Sequence, residues 1–290
     1  MGSKGFVRAV LVGAGVAVLA LAAIYLVRQF TNPAPPPEAV NDFNPARFVA
    51  EGPPLDAPYV VTDYEVVDAM LAMAAVRPED VVIDLGSGDG RILIAAARSH
   101  GARGLGVDID PARITESNAN ARAAGVTSRV AFRRQDLFET PLAEANVLTL
   151  YLAPEINLRL RPRILAEMRP GTRVVSHDFD MGDWRPNERQ MVGTASIYMW
   201  IVPANIEGRW TLSRGDRSVT LTLDQRFQDF SGTIAAGGRS TAIERGEITG
   251  DLVRFTANFG NGRRIFEGRL DGNRIVSTDP DRPWQAVRAS

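Results

Sequence analysis

Cysteine is absent from the 290 residues. Disulfides, cysteine-ligated zinc and thiol nucleophiles are therefore excluded, while the redox compartment stays open. Two histidines are present, His100 and His177, too few and too isolated for a histidine-rich metal site. Both read as surface or strand-end residues, and no metal is expected. Lysine occurs once, as Lys4, against abundant arginine; with the many alanines this is a codon-usage pattern and carries no functional weight. An excess of one charge is missing too. Charged residues make up 23% and the net charge is −1, so no strongly basic nucleic-acid surface is expected. There is no internal repeat.

A long apolar run is present, at one end only. Ala9 to Val27 reads AVLVGAGVAVLALAAIYLV, with Lys4 and Arg8 before it and Arg28 after it. That length suits a helix crossing the hydrocarbon core, so residues 1–30 are expected to be a membrane anchor. The rival is a cleaved signal peptide, with Ala20 and Ala22 at the cleavage site. Residues 31–57 are rich in proline, which forbids regular helix or sheet, and read as a semi-rigid linker.

From Thr62 the pattern alternates. Thr62 or Asp63 caps a helix over YEVVDAMLAMAAV, and VVIDL at Val81–Leu85 is a short strand, apolar but for Asp84. RILIAAARSH is a helix stopped by Gly101, GLGVDID a strand, and Pro111 opens a helix that Gly125 ends. RVAFRR, ANVLTLYL and TRVVSHDF continue the strands, and Ile156–Met168 reads as a helix broken near Pro162. ERQMVG and ASIYMWIVP have no helix between them and read as an edge hairpin. The fold class is α/β, a doubly wound sheet over residues 58–204. Residues 205–290 carry short alternating segments such as SVTLTLD and RRIFEGRLD between Gly, Asp and Asn turns, which argue for a small antiparallel barrel or sandwich. Gly208-Arg209-Trp210 resembles the opening of lipocalin-like barrels, with Arg288 as a lid on Trp210. A docking or substrate-placing role suits so small a barrel better than a ligand site of its own.

The strand VVIDL runs into DLGSGDG, which sets Gly86, Gly88 and Gly90 where the first strand of such a sheet turns into its helix. Ligands bind at that place. The position three after Gly88 is Arg91, so the dinucleotide pattern G-x-G-x-x-G is not met, and Gly-Lys-Ser/Thr is absent. Asp84 at the strand tip would repel a phosphate. A cationic, phosphate-free ligand fits better, and S-adenosylmethionine, with a sulfonium and an ammonium, is one. Asp108 ends the second strand, where a carboxylate accepts from ribose hydroxyls. Asp136 follows the third strand and suits the adenine amino group, with Leu137 packing on the ring. Any one of these acids alone reads as a cap or a solvated charge; three at successive strand tips do not.

DLGSGDG, GVDID and QDLF together resemble the class I, seven-stranded S-adenosylmethionine-dependent methyltransferases over about Pro58 to Pro203. That resemblance extends the cofactor contacts to Ser87 and Ile109. PYVVTDYEVVDAMLAMA, VLTLYLAPEINLRLRPRIL and TRVVSHDFDMGDWRP are similar to a narrower group, the membrane-anchored protein-lysine methyltransferases whose mitochondrial members modify ATP synthase subunit c and the adenine nucleotide translocase. The group also resembles the non-SET histone lysine methyltransferases. The resemblance implies methyl transfer to lysine of a protein, with membrane proteins among the candidates. It implies that Pro58, Tyr59 and Val60 close the cofactor site and that Tyr151 lines the acceptor channel. Histone enzymes carry an asparagine-rich segment after the fourth strand; Tyr151-Leu152-Ala153-Pro154 stands here, so histone activity is not expected.

The reaction aligns an amine with an already activated methyl carbon and needs no strong base. A lysine amine must be neutral to attack, and an apolar aromatic channel favours that form. Tyr59, Tyr151, Phe179 and Trp184 are candidate walls, core packing being the alternative for each. Asp178, at the tip of the fifth strand, is the candidate group near the acceptor. The charge around the apolar run favours an outside catalytic domain, yet S-adenosylmethionine is cytosolic. An enzyme anchored in a bacterial inner membrane and facing the cytoplasm is therefore expected. A small-molecule or lipid methyltransferase and a non-catalytic nucleoside-binding scaffold are the other readings; the intact glycine turn speaks against the scaffold.

Overall fold

A computed structural model of the chain describes residues 60–259 and 262–289. Helix α1 (Tyr64–Met73) precedes strand β1 (Val81–Leu85). Then come α2 (Arg91–His100), β2 (Arg103–Asp108), α3 (Pro111–Ala123), β3 (Val130–Arg134), β4 (Val147–Leu150), α4 (Pro154–Glu167) and β5 (Arg173–His177). The hairpin β6 (Glu188–Val192) and β7 (Ala195–Ile201) completes a seven-stranded sheet of order β3-β2-β1-β4-β5-β7-β6. β1 to β5 pair in parallel, and β7 pairs antiparallel with β5. The sheet is mixed, with the expected hairpin at its edge.

Alternation along each strand feeds two cores. Val82, Val147 and Val175 pack with Val66, Met70, Leu93 and Ala121 of α1, α2 and α3 on one face. Ile83, Leu148 and Val174 pack with Ile156, Leu160 and Ile164 of α4 on the other. Because β1 lies between β2 and β4, the winding reverses there, and a crevice opens at the carboxyl ends of the strands.

The C-terminal strands are β8 (Gly208–Arg214), β9 (Arg217–Arg226), β10 (Asp229–Ala236), β11 (Arg239–Thr249), β12 (Leu252–Asn258), β13 (Arg263–Asp271), β14 (Arg274–Ser277) and β15 (Gln285–Arg288). They close a barrel of order β10-β11-β12-β13-β14-β15-β8-β9. Its interior is filled by side chains: Phe255 stacks on Phe266 with ring centroids 4.7 Å apart, and Trp284 meets both edge-on. The Arg288 guanidinium sits 4.4 Å from the Trp210 ring, as the lid reading expected.

Three expectations are corrected. Ala9–Val27, the expected span, lies outside the described residues, and among the described residues no helix is long and apolar enough to cross a membrane. The membrane-anchored, cytoplasm-facing enzyme is thus left without support. Helix α4 runs unbroken through Pro162. The carbonyl that Pro162 leaves without a helical partner belongs to solvent-exposed Leu158, while buried Ile156, Leu160 and Ile164 hold the helix on the sheet. Trp184 is core, not channel wall: it is fully buried and stacks on Phe227 at 6.0 Å, with Trp200 tilted at 5.9 Å. Phe227 lies in the turn between β9 and β10 of the barrel, so this cluster joins barrel to sheet. Trp184→Ala is expected to lower the unfolding free energy by about 3–5 kcal/mol; urea denaturation followed by fluorescence checks it, and a loss under about 1 kcal/mol would deny the cluster that role.

Candidate active site

The loop from β1 into α2 is tied to the tip of β2 by main chain and side chain. Gly86 N and Ser87 N both donate to Val107 O at 2.9 Å. Asp108 Oδ2 accepts from Gly88 N at 3.0 Å, and its Oδ1 accepts from Asp110 N at 3.0 Å. Gly86, Gly88 and Gly90 have φ of 75°, 51° and 82°, the left-handed region that favours glycine. A Cβ on Gly86 would lie 2.8 Å from the Leu152 side chain, and one on Gly90 would lie 2.6 Å from Phe132. At both positions the close neighbour that excludes a side chain belongs to the protein itself. Gly90 does not line the crevice.

The crevice holds a cavity of about 390 Å³. Asp84, Gly86, Ser87 and Gly88 of the first loop face it, as do Asp108 and Ile109 of the second and Asp136 and Leu137 of the third. Asp136 Oδ1 also accepts from Phe138 N at 2.8 Å, capping the short 3-10 turn Leu137–Glu139. Tyr151, from the tip of β4, lines the same cavity, together with Val60, Val61 and Thr62. Tyr59 and Pro58 lie outside the described residues.

Asp84 is the most telling of these groups. It is 2% exposed. Oδ1 accepts from the Thr149 hydroxyl at 2.7 Å, while Oδ2 is buried without a hydrogen-bond partner. Burial pushes its pKa up to about 7; the Thr149 bond opposes that rise, and Asp108 and Asp89 add to it. Ser87 Oγ is likewise buried and unpartnered. An unpaired carboxylate oxygen at the floor of a polar-rimmed cavity costs free energy until a donor reaches it. The residues present fit a ligand carrying a cationic donor at that point.

At the other end Tyr151 stacks on His177, with centroids 3.8 Å apart and planes inclined by 28°, and faces Phe179 at 6.3 Å. His177 Nδ1 lies 3.2 Å from Thr62 Oγ1, and Nε2 lies 3.3 Å from Asp178 Oδ2. Burial holds His177 below the ordinary histidine range against the pull of Asp178 and Asp63. Burial raises the Tyr151 hydroxyl, and the same two carboxylates raise it further. Asp178 does not line the cavity: its Oδ1 accepts from Ser196 N at 2.9 Å, and its Oδ2 faces His177. Sequence reasoning missed three participants. His177 ends β5 as expected, but a lone histidine carries no spacing signal. Thr62, read as a cap, turns to His177 instead, and Asp63 occupies the N-cap without a side-chain bond. Arg91 pairs with Asp89 at 2.5 Å and donates to Thr62 O at 2.8 Å.

The Asp84 carboxyl has a folded-state pKa near 7, above its unfolded value of 3.8. Its favourable contribution is therefore fully present below about pH 4 and is lost as pH rises through about 7. Asp84→Asn is expected to stabilise the ligand-free protein at pH 8 and to lose that advantage toward pH 4. Melting temperatures across this range check it; a variant less stable than the parent at pH 8 would contradict the buried-charge assignment.

A family model described as ANTKMT methyltransferase domain matches residues 84–188. A protein-lysine N-methyltransferase of Saccharolobus islandicus is 44% identical over 150 residues, covering 50% of this chain and 93% of that one. An adenine nucleotide translocase lysine N-methyltransferase of Mus musculus is 31% identical over 161 residues, covering 56% of this chain and 69% of that one. Among solved structures, an RNA methyltransferase from Salinibacter ruber in complex with S-adenosyl-L-homocysteine is 51% identical, with a TM-score of 0.50. It covers 51% of this chain and 96% of that one. Both lysine methyltransferases are matched over more than two thirds of their length, and the family model's match runs through the loops after β1, β2, β3 and β4 that build the cavity. The chain belongs to the class I S-adenosylmethionine-dependent methyltransferases, in the family of the ANTKMT methyltransferase domain.

Proposed function

We propose that the protein transfers a methyl group from S-adenosylmethionine to the side-chain amine of a lysine in a protein substrate. The observation that carries this reading is the acceptor end of the cavity, where a stacked Tyr151–His177 pair is flanked by the carboxylates of Asp178 and Asp63. The names of the Saccharolobus islandicus and Mus musculus relatives support it.

Asp84 Oδ2 is the group to receive the cofactor's ammonium, Asp108 the ribose hydroxyls and Asp136 the adenine amino group, with Leu137 and Ile109 packing on the base. Ser87 Oγ is a further donor or acceptor at the cavity floor, and the Gly86–Gly88 main chain is the surface against which the ligand lies. When bound, S-adenosylmethionine supplies a methyl group on a positively charged sulfur, which leaves with the bonding electron pair. Tyr151 walls the acceptor channel. Its aromatic face accommodates an ammonium and its apolar surface favours the neutral amine over the charged one. Asp63 and Asp178 draw a cationic side chain toward this end. Asp178 acts on the acceptor end through His177, since its carboxylate is already engaged away from the cavity.

An RNA acceptor is the second reading, favoured by the description of the Salinibacter ruber structure. A net charge of −1 offers a polyanion no general attraction. Within the described barrel, Arg226, Arg254, Arg263 and Arg269 are each engaged by a carboxylate.

Incubation with methyl-labelled S-adenosylmethionine and a protein and RNA extract is expected to give label that resists ribonuclease and appears as methyl-lysine after acid hydrolysis. Label lost to ribonuclease, or found only in small molecules or lipid, would sink the lysine assignment. Asp108→Ala is expected to weaken cofactor binding at least about tenfold, the scale of losing charged hydrogen bonds. Calorimetry, with circular dichroism to check folding, measures this; unchanged affinity would remove Asp108 from the ribose site. Because a protonated Asp84 cannot pair with an ammonium, affinity is also expected to fall as pH drops below about 7. A flat profile between pH 8 and 6 would dissociate Asp84 from the ligand.

A further inference from the structure

The Val60–Thr62 segment covers part of the cavity, yet Val60 and Val61 are largely exposed. Burial of those two side chains therefore does little to hold it. Two polar ties do. Thr62 O accepts from Arg91 Nη1, whose guanidinium is paired with Asp89 of the glycine loop. Thr62 Oγ1 meets His177 Nδ1, 115 positions along the chain, at 3.2 Å. The first tie comes from the start of α2 and the second from the tip of β5, so they grip the segment from two elements of the sheet domain.

The second tie is held by a ring with little freedom. His177 is 5% exposed. Its face is packed on Tyr151, and its Nε2 is held near Asp178 Oδ2. Asp178 has a φ of 60°, an unfavourable conformation for a side chain with a Cβ. It is held there by β7: Asp178 N donates to Ser196 O at 2.7 Å, and Ser196 N donates back to Asp178 Oδ1 at 2.9 Å. Strain of this sort persists only where the surroundings over-determine it. Its result is a carboxylate oxygen aimed at His177 Nε2, which leaves Nδ1 directed to Thr62.

We propose that His177 is a positioning residue that clamps the Val60–Thr62 segment over the bound cofactor through Thr62 Oγ1, its ring aligned by Asp178 and Tyr151. The inference rests on S-adenosylmethionine occupying the cavity, and it assigns His177 no contact with the reacting atoms.

A double-mutant cycle on the full chain tests it, with S-adenosylmethionine as the probe, calorimetry for Kd and stopped flow for the dissociation rate. Thr62→Val removes one end of the bond. His177→Phe keeps a ring against Tyr151 but removes the other end. Each is expected to raise Kd about three- to tenfold, the scale of one hydrogen bond, mainly through faster dissociation. The double variant is expected to be no weaker than either single, because both remove the same bond. His177→Asn, whose amide occupies the place of Nδ1, is expected to recover part of the affinity that His177→Phe loses, which a mere packing role would not produce. Effects that multiply in the double variant, or an unaltered Kd in His177→Phe, overturn the clamp. If His177→Phe does not fold, Thr62→Val in the His177→Asn background is expected to cost the same bond again, and no added effect there overturns the proposal. Absence of binding by the parent protein would instead sink the cofactor reading itself.

Discussion

The active end of this molecule hangs on one carboxylate that faces two ways. Asp108 takes the amide of Gly88 from one loop and the amide of Asp110 from its own, and so joins the tips of β1 and β2. The left-handed glycines and the paired Gly86 and Ser87 amides on Val107 O follow from that junction. With the loop drawn against β2, α2 starts close to the sheet, and Arg91 at its first position, paired with Asp89, donates to Thr62 O in the segment before α1. Asp84, the next-to-last residue of β1, is left deep under the loop with one oxygen bonded to Thr149 and the other unpaired. The architecture thus buries a charge at a cost and leaves a site where a cationic ligand offsets it.

What could be read before folding was whatever local chemistry dictates. VVIDL is too short and too apolar to be anything but a covered strand, and DLGSGDG after it has glycines where the backbone needs positive φ. The three acids were legible from their places near strand ends: Asp84 inside VVIDL, Asp108 at the end of GLGVD and Asp136 two residues past RVAFRR. The barrel strands were legible from their alternation, and the edge hairpin from the missing helix. Pro162 misled because a local rule was applied where tertiary packing decides. Trp184 misled because an aromatic residue carries the same letter in a channel wall and in a core. His177 was unreadable for a different reason: its partners Thr62, Tyr151 and Asp178 come from three separate segments that only the sheet brings together. The glycine turn also carried half a truth, since Leu152 and Phe132, not a ligand, crowd Gly86 and Gly90.

The loop between β5 and β6 links the Tyr151–His177 end of the cavity to the barrel. It begins at Asp178 beside His177 and passes Asp183, which meets Arg161 of α4 at 2.5 Å and Arg226 of the barrel at 2.8 Å. Further along, Arg185 O accepts from Gln228 at 2.7 Å. Trp184 packs between, with its ring on Phe227. A loop that supplies the carboxylate beside His177 is thus braced along its length by a domain that has no part in the cofactor cavity. The Saccharolobus islandicus relative, matched over half of this chain, aligns with nearly its whole length. Half of this chain therefore lies beyond that match.

The barrel closes by pairing β15 with β8, and Arg288 then donates to Asn205 O and Glu207 O at its entrance. Its first and last strands are therefore partners across the whole domain. During synthesis the sheet has all its strands once Ile201 has emerged, whereas the barrel lacks its final strand until Arg288 does. The methyltransferase domain therefore has all its own strands to fold with first. The barrel that braces the β5–β6 loop closes last, and a chain lacking β15 leaves β8 with an unpaired edge.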